Sequence, residues 1–569
     1  MKRAIGFVVA FASALSAYAA TVDVRFEVEA RTVLDASAAP EGASGAAAAF
    51  LGRRLEVGRV LRTVQREVPP GESPIAVAVQ ALIDGPTPEE AALGMFTHVP
   101  KGTKLVRLDV EGDTVTVDMS REVLQGLDDH VLESIFEQFR ITLGDLPGVM
   151  NVRLTCEDKL LAEYLPPSPV IEPADDSEVQ RFAVPLAEPV PAATGLVGRK
   201  ITIGPSHGRF HNGSGWFWQR GDPCGLGEAV LEDTNSIRLM QFLFQYLTQD
   251  GATVTVPRDL NENDCCHPET GLHWWKMAAR YWLQHQGLPA SVWDALDTHL
   301  NDDIRARPLF ADYVGADIYI SHHTNAGANG SARGTETFRD SAMTHSQHRA
   351  PSLDLANKVH TSIINTIREL YDSCWVSRGV KDSAGGFGEI RVPNRPAILI
   401  ELAFHDGCNP SGVGCGNKDT DALTSNYFRS VSQWGIYKGI CDYFGVTPTW
   451  DKYSYEIVSD TIPATMISGH TYNVSITLRN RGVLWTNAYN FRLGAVGDTD
   501  PFVNFNRINI VGEVGPGQTY TFNFQMLAPA PGNYITDWQM VRDGVTWFGP
   551  ILSRNVTVIS DGGGGSEIP

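Results

Sequence analysis

The chain has 569 residues, too many for one hydrophobic core, and its length predicts three to four domains. Apolar residues make up 43% and charged residues 20%, the balance of ordinary globular protein. A formal net charge of −20 excludes an electrostatic grip on nucleic acid or on an anionic membrane surface.

Residues 1–20 read as an export signal. Lys2 and Arg3 precede an apolar run over 4–15, and Ala17-Tyr18-Ala19 offers small residues for cleavage. The run is shorter than the roughly 20 residues needed to span a bilayer. The expected location is therefore the periplasm or the cell wall and exterior, with no stable membrane insertion after cleavage. Eight cysteines suit an oxidising compartment. Cys408 and Cys415 bracket a Gly/Asn/Pro/Ser loop and make a reasonable pair. Cys265, Cys266 and His267 lack the CxxC spacing of a zinc cluster.

The Ala-rich stretch 21–55 carries little signal. Over 55–165 the pattern is mixed: a strand pair at 57–68, a helix at 75–83 stopped by Asp84-Gly85-Pro86, a hairpin of 103–110 with 114–118, a helix at 131–143 and a strand at 149–155. LIDGPTPEE (82–90), VPKGTKL (99–105), VTVDMS (115–120) and LPGVMNVRL (146–154) resemble the GerMN domain of sporulation and germination proteins. The resemblance implies a small non-catalytic α+β module that binds wall or a partner. Residues 166–198, rich in Pro, Ala, Glu and Asp, read as an extended linker.

From 199 to 447 strands alternate with helices, which argues for an α/β fold with a mostly parallel sheet and flanking helices. Ile201 and Ile203 alternate before a break at Gly204-Pro205, then come His207, a Gly-rich loop and Glu232. Glu232 opens a helical pattern carried by Ile237, Met240, Phe244 and Leu247. An imidazole and a carboxylate at the carboxyl end of a strand suit zinc, which needs a third protein ligand when catalytic. The strand at 316–321 ends in His322-His323-Thr324-Asn325-Ala326. The apolar strand AILIELAF (397–404) contains Glu401. A carboxylate there is costly unless paired, with Arg391 or Arg395 as candidates, or unless it serves as general base beside an activated water. Trp274, Trp275, Tyr281 and Trp282, on two helices read over 273–300, are expected in the core.

TIGPSHG, EDTNSIRLMQFLFQYLTQDGATV, PRDLNEND, DIYISHHTNA, GTETF, SRGVK and RPAILIELAFHD, in that order, resemble the zinc-dependent N-acetylmuramoyl-L-alanine amidases of the Amidase_3 family. The resemblance implies Zn2+ held by His207, Glu232 and His323, with Glu401 catalytic. It also implies hydrolysis of the peptidoglycan amide between the lactoyl group of N-acetylmuramic acid and L-alanine. Arg391, His211 and Asn325 are candidates for substrate contact. The sequence departs from the family in two places. Gly204-Pro205-Ser206-His207-Gly208 stands for the usual Asp-Pro-Gly-His-Gly, which puts the support of the ligands in question. His322 replaces an apolar residue, and strand alternation turns it away from His323. An inactive wall-binding or regulatory protein and a zinc peptidase acting on stem peptides stay open as alternatives.

Over 450–560, short strands at 472–478, 490–493, 519–526 and 556–559 between Gly/Pro/Asn turns predict a β-sandwich. RNRGVLWT, VGPGQTYTF and APAPGNYITDWQMVRDGVTWFGP resemble an Ig-like accessory domain of the NBR1 type, with Trp485, Trp538 and Trp547 expected in its core. Residues 561–569 form a Gly-rich tail. The expected partners are peptidoglycan and, through the terminal domains, an envelope protein.

Overall fold

The computed structural model describes residues 20–32, 56–182, 195–296, 299–327, 330, 332–409 and 418–561. The export signal, Cys415, the end of the tail and part of the linker lie outside the described residues.

The N-terminal domain begins earlier than its sequence pattern suggests. Strand β1 (Ala20–Thr32) pairs antiparallel with β2 (Glu56–Val68) over their whole length. The strand pair expected within 57–68 is thus a single strand whose partner comes from the Ala-rich stretch. Val22, Val24 and Phe26 alternate on β1 and enter the apolar core. Arg25 and Glu27, on its other face, are buried against the middle domain. Helices α1 (Pro74–Asp84) and α2 (Pro88–Ala92) follow, the latter started by a Thr87/Glu90 capping box. After β3 (Met95–Phe96) come β4 (Leu105–Glu111), β5 (Thr114–Met119), helix α3 (Asp129–Leu143), β6 (Asn151–Cys156) and β7 (Lys159–Leu160). The last four strands form one sheet in the order β4-β5-β6-β7. On α3, Leu132, Ile135, Phe136, Phe139 and Leu143 recur at helical spacing and face the core.

The stretch read as a linker contains a short helix, α4 (Asp176–Phe182). The middle domain is then built on β8 (Lys200–Pro205), the small hairpin β9 (Phe210–His211) and β10 (Trp216–Phe217), helix α5 (Glu232–Gln249) and β11 (Thr253–Thr255). Helices α6 (Ala279–His285), α7 (Ala290–Trp293) and α8 (His299–Tyr313) precede β12 (Ile318–Asn325) and β13 (Thr335–Arg339). They are followed by α9 (Arg349–Leu370), β14 (Ser377–Asp382), α10 (Gly388–Arg391), β15 (Ala397–Phe404), α11 (Asp419–Thr424) and α12 (Asn426–Phe444). The sheet order is β11-β8-β12-β15-β13-β14. All pairings are parallel except β13 with β15. β12 and β15 are buried along their full length, as central parallel strands covered on both faces must be. Trp274 and Tyr281 are buried in a satellite cluster with Phe210, and Trp275 is buried outside it, the core role expected of them, whereas Trp282 is only half-buried against that cluster.

The C-terminal domain has a three-stranded sheet (Tyr455–Asp460, Thr471–Asn480, Thr519–Leu527). It also has a five-stranded sheet (Thr465–Ile467, Thr546–Ile559, Gly532–Arg542, Phe491–Ala495, Arg507–Asn509). Val474, Ile476 and Phe522 of the first share an apolar cluster with Trp538, Met540 and Leu552 of the second. Trp485 and Trp538 are fully buried there, whereas Trp547 is half-buried under Arg507.

The domains are not strung apart. One apolar cluster runs from the N-terminal domain into α8 and α10, and another from α5 and α12 into the C-terminal sheets. Gly58 shows how close the first contact is. An added Cβ would stand 2.5 Å from the Arg220 carbonyl, while Gly221 N–H donates to Arg59 O at 2.9 Å. No helix among the described residues is long and apolar enough to cross a membrane.

Candidate metal centre

Three strand or helix ends converge at the carboxyl edge of the sheet. His207 follows β8 with φ +47°, a left-handed conformation that non-glycine residues seldom adopt. The turn is held from α5, where Asp233 Oδ1 accepts from Gly208 N–H at 3.1 Å and from Gln219 N–H at 2.9 Å. Glu232 is the first residue of α5. His323 lies near the end of β12, beside a register shift against β15.

Their donor atoms meet. Gln219 Nε2 donates to Asp303 at 2.9 Å and to Gly208 O at 3.3 Å, so its Oε1 accepts the proton on His207 Nδ1 at 3.1 Å. That leaves His207 Nε2 as a lone pair, buried without a hydrogen-bond partner and 3.3 Å from Glu232 Oε1. His323 Nδ1 lies 2.9 Å from the same oxygen, and His323 Nε2 lies 3.0 Å from Glu389 Oε1. All three donors fall within 4.8 Å of one another. Ligands at 2.0–2.2 Å around a tetrahedral ion stand about 3.4 Å apart. An orphaned imidazole nitrogen, a carboxylate oxygen and a second imidazole are the donor set of a three-ligand zinc site, and these residues fit it.

Burial sets the charges. It pushes His207 down to about 3, so the ring is neutral. Burial also opposes charge on Glu232, but His207 and His323 hold its carboxyl well below the usual range. His323 feels the same burial, yet Glu389 and Glu232 push it up to about 10.

Glu401 sits opposite His323 in the β12–β15 register and opposite Glu336 in the β15–β13 register. Its Oε2 is buried with no hydrogen-bond partner. Burial raises its pKa well above the ordinary carboxyl value, against the pull of Arg140 and His323. Neither arginine expected from sequence is its partner. Arg391 is tied to Asp129 and to Gly385 O, and Arg395 to Asp312 at 2.6 Å. Its ion-pair partner is Arg140 of α3, whose Nη2 is 3.5 Å from Glu401 Oε1. Arg140 also reaches Glu336 at 2.9 Å and Asn325 Oδ1 at 3.2 Å.

The three candidate substrate residues fare differently. Arg391 is committed to the inter-domain contact with Asp129. Asn325 lines the pocket shared by Glu232, His323 and Glu401, but its amide is engaged by Glu336, Arg140 and Ala326 N–H. His211 lines the wall of a larger cavity, its ring against Trp216. His322 points to the other face, 3.1 Å from Gln433 on α12, and burial pushes its pKa down to about 3.

The pocket touching Glu232, His323 and Glu401 holds only about 20 Å3 and is closed on one side by Glu133 and Glu137 of α3. A cavity of about 720 Å3 adjoins it, sharing Glu133, Glu137, Arg220, Ala326 and His405. Its walls come from β1, β2, α3 and the segment 210–223. Sequence reasoning missed this contribution. Glu133, Glu137 and Arg140 form a polar stripe on α3 that resembles any solvated helix face.

Cys224 and Cys408 are joined, Cα–Cα 6.0 Å, linking the loop before α5 to the loop after β15. This corrects the expected Cys408–Cys415 pair. Cys265 and Cys266 are joined to each other.

Residues 201–442 match the family model described as N-acetylmuramoyl-L-alanine amidase, and residues 51–162 match the model described as sporulation and spore germination. No curated protein matches the chain. Three solved structures illustrate the likeness. The catalytic domain of CwlV, an N-acetylmuramoyl-L-alanine amidase from Bacillus (Paenibacillus) polymyxa var. colistinus, is 20% identical over 44% of this chain and 99% of its own, TM-score 0.29. The CwlD amidase from Clostridioides difficile, in complex with the GerS lipoprotein, is 17% identical over 44% and 99%, TM-score 0.27. The tandem GerMN domains of the sporulation protein GerM from Bacillus subtilis are 20% identical over 24% and 39%, TM-score 0.17.

Proposed function

We propose that this chain, which carries an N-acetylmuramoyl-L-alanine amidase domain behind a sporulation and germination-type domain, is a zinc-dependent peptidoglycan amidase. The bond cut is the amide between the lactoyl carbonyl of N-acetylmuramic acid and the nitrogen of L-alanine. The observation that carries this is the convergence of His207 Nε2, Glu232 Oε1 and His323 Nδ1 beside the buried Glu401.

His207, Glu232 and His323 would hold the ion. Zinc bound there supplies a Lewis acid for the amide carbonyl and lowers the pKa of water. Glu401 has an unbonded, buried oxygen and a pKa raised by burial, the state in which a carboxylate takes a proton readily. It would accept a proton from the attacking water and return it to the L-alanine nitrogen as the carbon–nitrogen bond breaks. The products are a free lactoyl carboxylate and a free amine.

The N-terminal domain supports more than wall attachment. Its helix α3 forms a wall of the catalytic pocket, and its first two strands form a wall of the adjoining cavity. Stem peptide would reach Glu401 through that 720 Å3 space. The C-terminal sheets fit an Ig-like module for wall or partner binding. With Trp485 and Trp538 in the core, glycan contact would fall to other residues. Action on peptidoglycan also requires export, which residues 1–20 would supply.

The test is mass spectrometry of soluble products from purified peptidoglycan digested with the mature protein and Zn2+. Free stem peptides beginning at L-alanine, absent with chelator and with Glu401→Gln, are the expected result. Peptides cut elsewhere would establish a peptidase. Binding to wall with no products under any metal supply would establish an inactive binding protein.

A further inference from the structure

Both imidazoles of the metal centre rest on one helix. Tyr319, Ser321 and His323 occupy alternate positions of β12 and so share a face. All three bond to the carboxylate of Glu389, on α10. Tyr319 hydroxyl donates to Oε2 at 2.9 Å, Ser321 hydroxyl to Oε2 at 2.6 Å, and His323 Nε2 lies 3.0 Å from Oε1. Arg307 of α8 forms an ion pair with the same Oε1 at 2.9 Å. Four partners use the acceptor capacity of a carboxylate in full, so Glu389 has one orientation.

The second imidazole connects to the same helix. His207 bonds to Gln219, Gln219 to Asp303 of α8, and Asp303 Oδ2 lies 3.7 Å from Arg307 Nη2 one helical turn on. The loop sequence agrees with this arrangement. Gly204 stands where the resembling family carries Asp, and a Cβ at 204 would overlap the Tyr319 ring and hydroxyl. The missing side chain makes room for the donor that reaches Glu389.

We propose that Glu389 is a positioning residue. It fixes the ring of His323 with Nδ1 toward Glu232, and α8 anchors it there through Arg307. The proposal rests on the reading of His207, Glu232 and His323 as a zinc site. A carboxylate behind a metal-binding histidine sets its tautomer and orientation, and removing such a partner weakens metal binding by about 10–100-fold.

The experiment strips metal from the full chain with chelator and titrates Zn2+ against a chromophoric chelator. Glu389→Gln is expected to bind Zn2+ about 10–100-fold more weakly than the native chain, with shifted visible bands in the Co2+-loaded protein. Tyr319→Phe keeps the carboxylate and is expected to lose less than about threefold. If native protein and His323→Ala bind Zn2+ equally, the metal site itself is wrong and the proposal falls with it. If His323→Ala loses Zn2+ but Glu389→Gln holds it within about twofold, with unshifted Co2+ bands, the metal site stands and the positioning role is overturned. Should Glu389→Gln fail to fold, Ser321→Ala combined with Tyr319→Phe frees the carboxylate to turn while leaving Arg307 its partner. That chain must then bind Zn2+ about 10-fold more weakly, or the proposal fails.

Discussion

Arg140 Nη2 stands 3.5 Å from Glu401 Oε1, although 261 residues separate them. The contact exists because β13 and β15 set Glu336 and Glu401 side by side in the buried sheet. Lys381, at 2.5 Å, and Arg378, at 3.3 Å, serve Glu336, and Arg140 bridges it to Glu401. Removing Arg140, the cation shared by these buried carboxylates, leaves their charge uncompensated and costs about 3–5 kcal/mol. Arg140→Met is therefore expected to lower unfolding free energy by about 3 kcal/mol in urea titration. Arg140→Lys should recover only part of it, since one ammonium cannot span the four side chains, Glu137, Glu336, Asn325 and Glu401, that this guanidinium reaches. A loss under about 1 kcal/mol would mean the group behaves as a solvated surface pair.

Glu401→Gln separates catalysis from stability. Loss of the proton acceptor is expected to reduce turnover of muramoyl-peptide substrate by about 10²–10⁴-fold. Zn2+ affinity should change little, because Glu401 is outside the donor set. The same change relieves a buried carboxylate whose Oε2 has no partner, so the metal-free protein should melt higher than the native chain. Calorimetry and activity on one sample check both. A variant that is inactive and also less stable would assign Glu401 a structural role.

Much of this centre was legible in the chain because its chemistry is local. His207, Glu232, His323 and Glu401 each lie at a strand end, a helix start or inside an apolar strand, where their residue type is out of keeping with burial. The resemblance picked out His323 and alternation turned His322 to the opposite face, where it lies beside Gln433. What sequence could not give is long-range. Arg391, which precedes the strand carrying Glu401, is bound to Asp129, while Arg140 makes the ion pair expected of it. β1 was hidden because Val22, Val24 and Phe26 make a short alternation next to an Ala-rich run. Cys224 and Cys408 are 184 residues apart, a separation no spacing rule predicts.

Zinc should stabilise the fold through the three donors. A ligand that binds only the native state adds about 2.7 kcal/mol at 100 times its dissociation constant. Native protein is expected to melt several degrees higher with saturating Zn2+ than with chelator, and His207→Ala should abolish the difference. His211→Ala, whose ring lines the large cavity and not the donor set, should keep it. Equal melting of native protein with and without Zn2+ would contradict the site.

Glu133 gives the N-terminal domain a pH dependence. It lies on α3 against both cavities, where burial and the nearby Glu389 and Glu137 push its pKa up to about 7, opposed by Arg220 and His323. A folded-state pKa above the unfolded value of 4.5 means the stabilising share is fully present below that value. It is lost as pH rises through about 7 and is constant above. The size is about 3 kcal/mol. Glu133→Gln cannot ionise, so its stability relative to the native chain should rise by that order between pH 5 and pH 8 (roughly bracketing the titration) and then level. Hydrogen exchange of the α3 amides should follow the same curve in the native chain and flatten in the variant. A stability difference that stays constant over that range would show Glu133 already ionised in its seat, and α3 would then cover the pocket beside Glu401 equally at every pH.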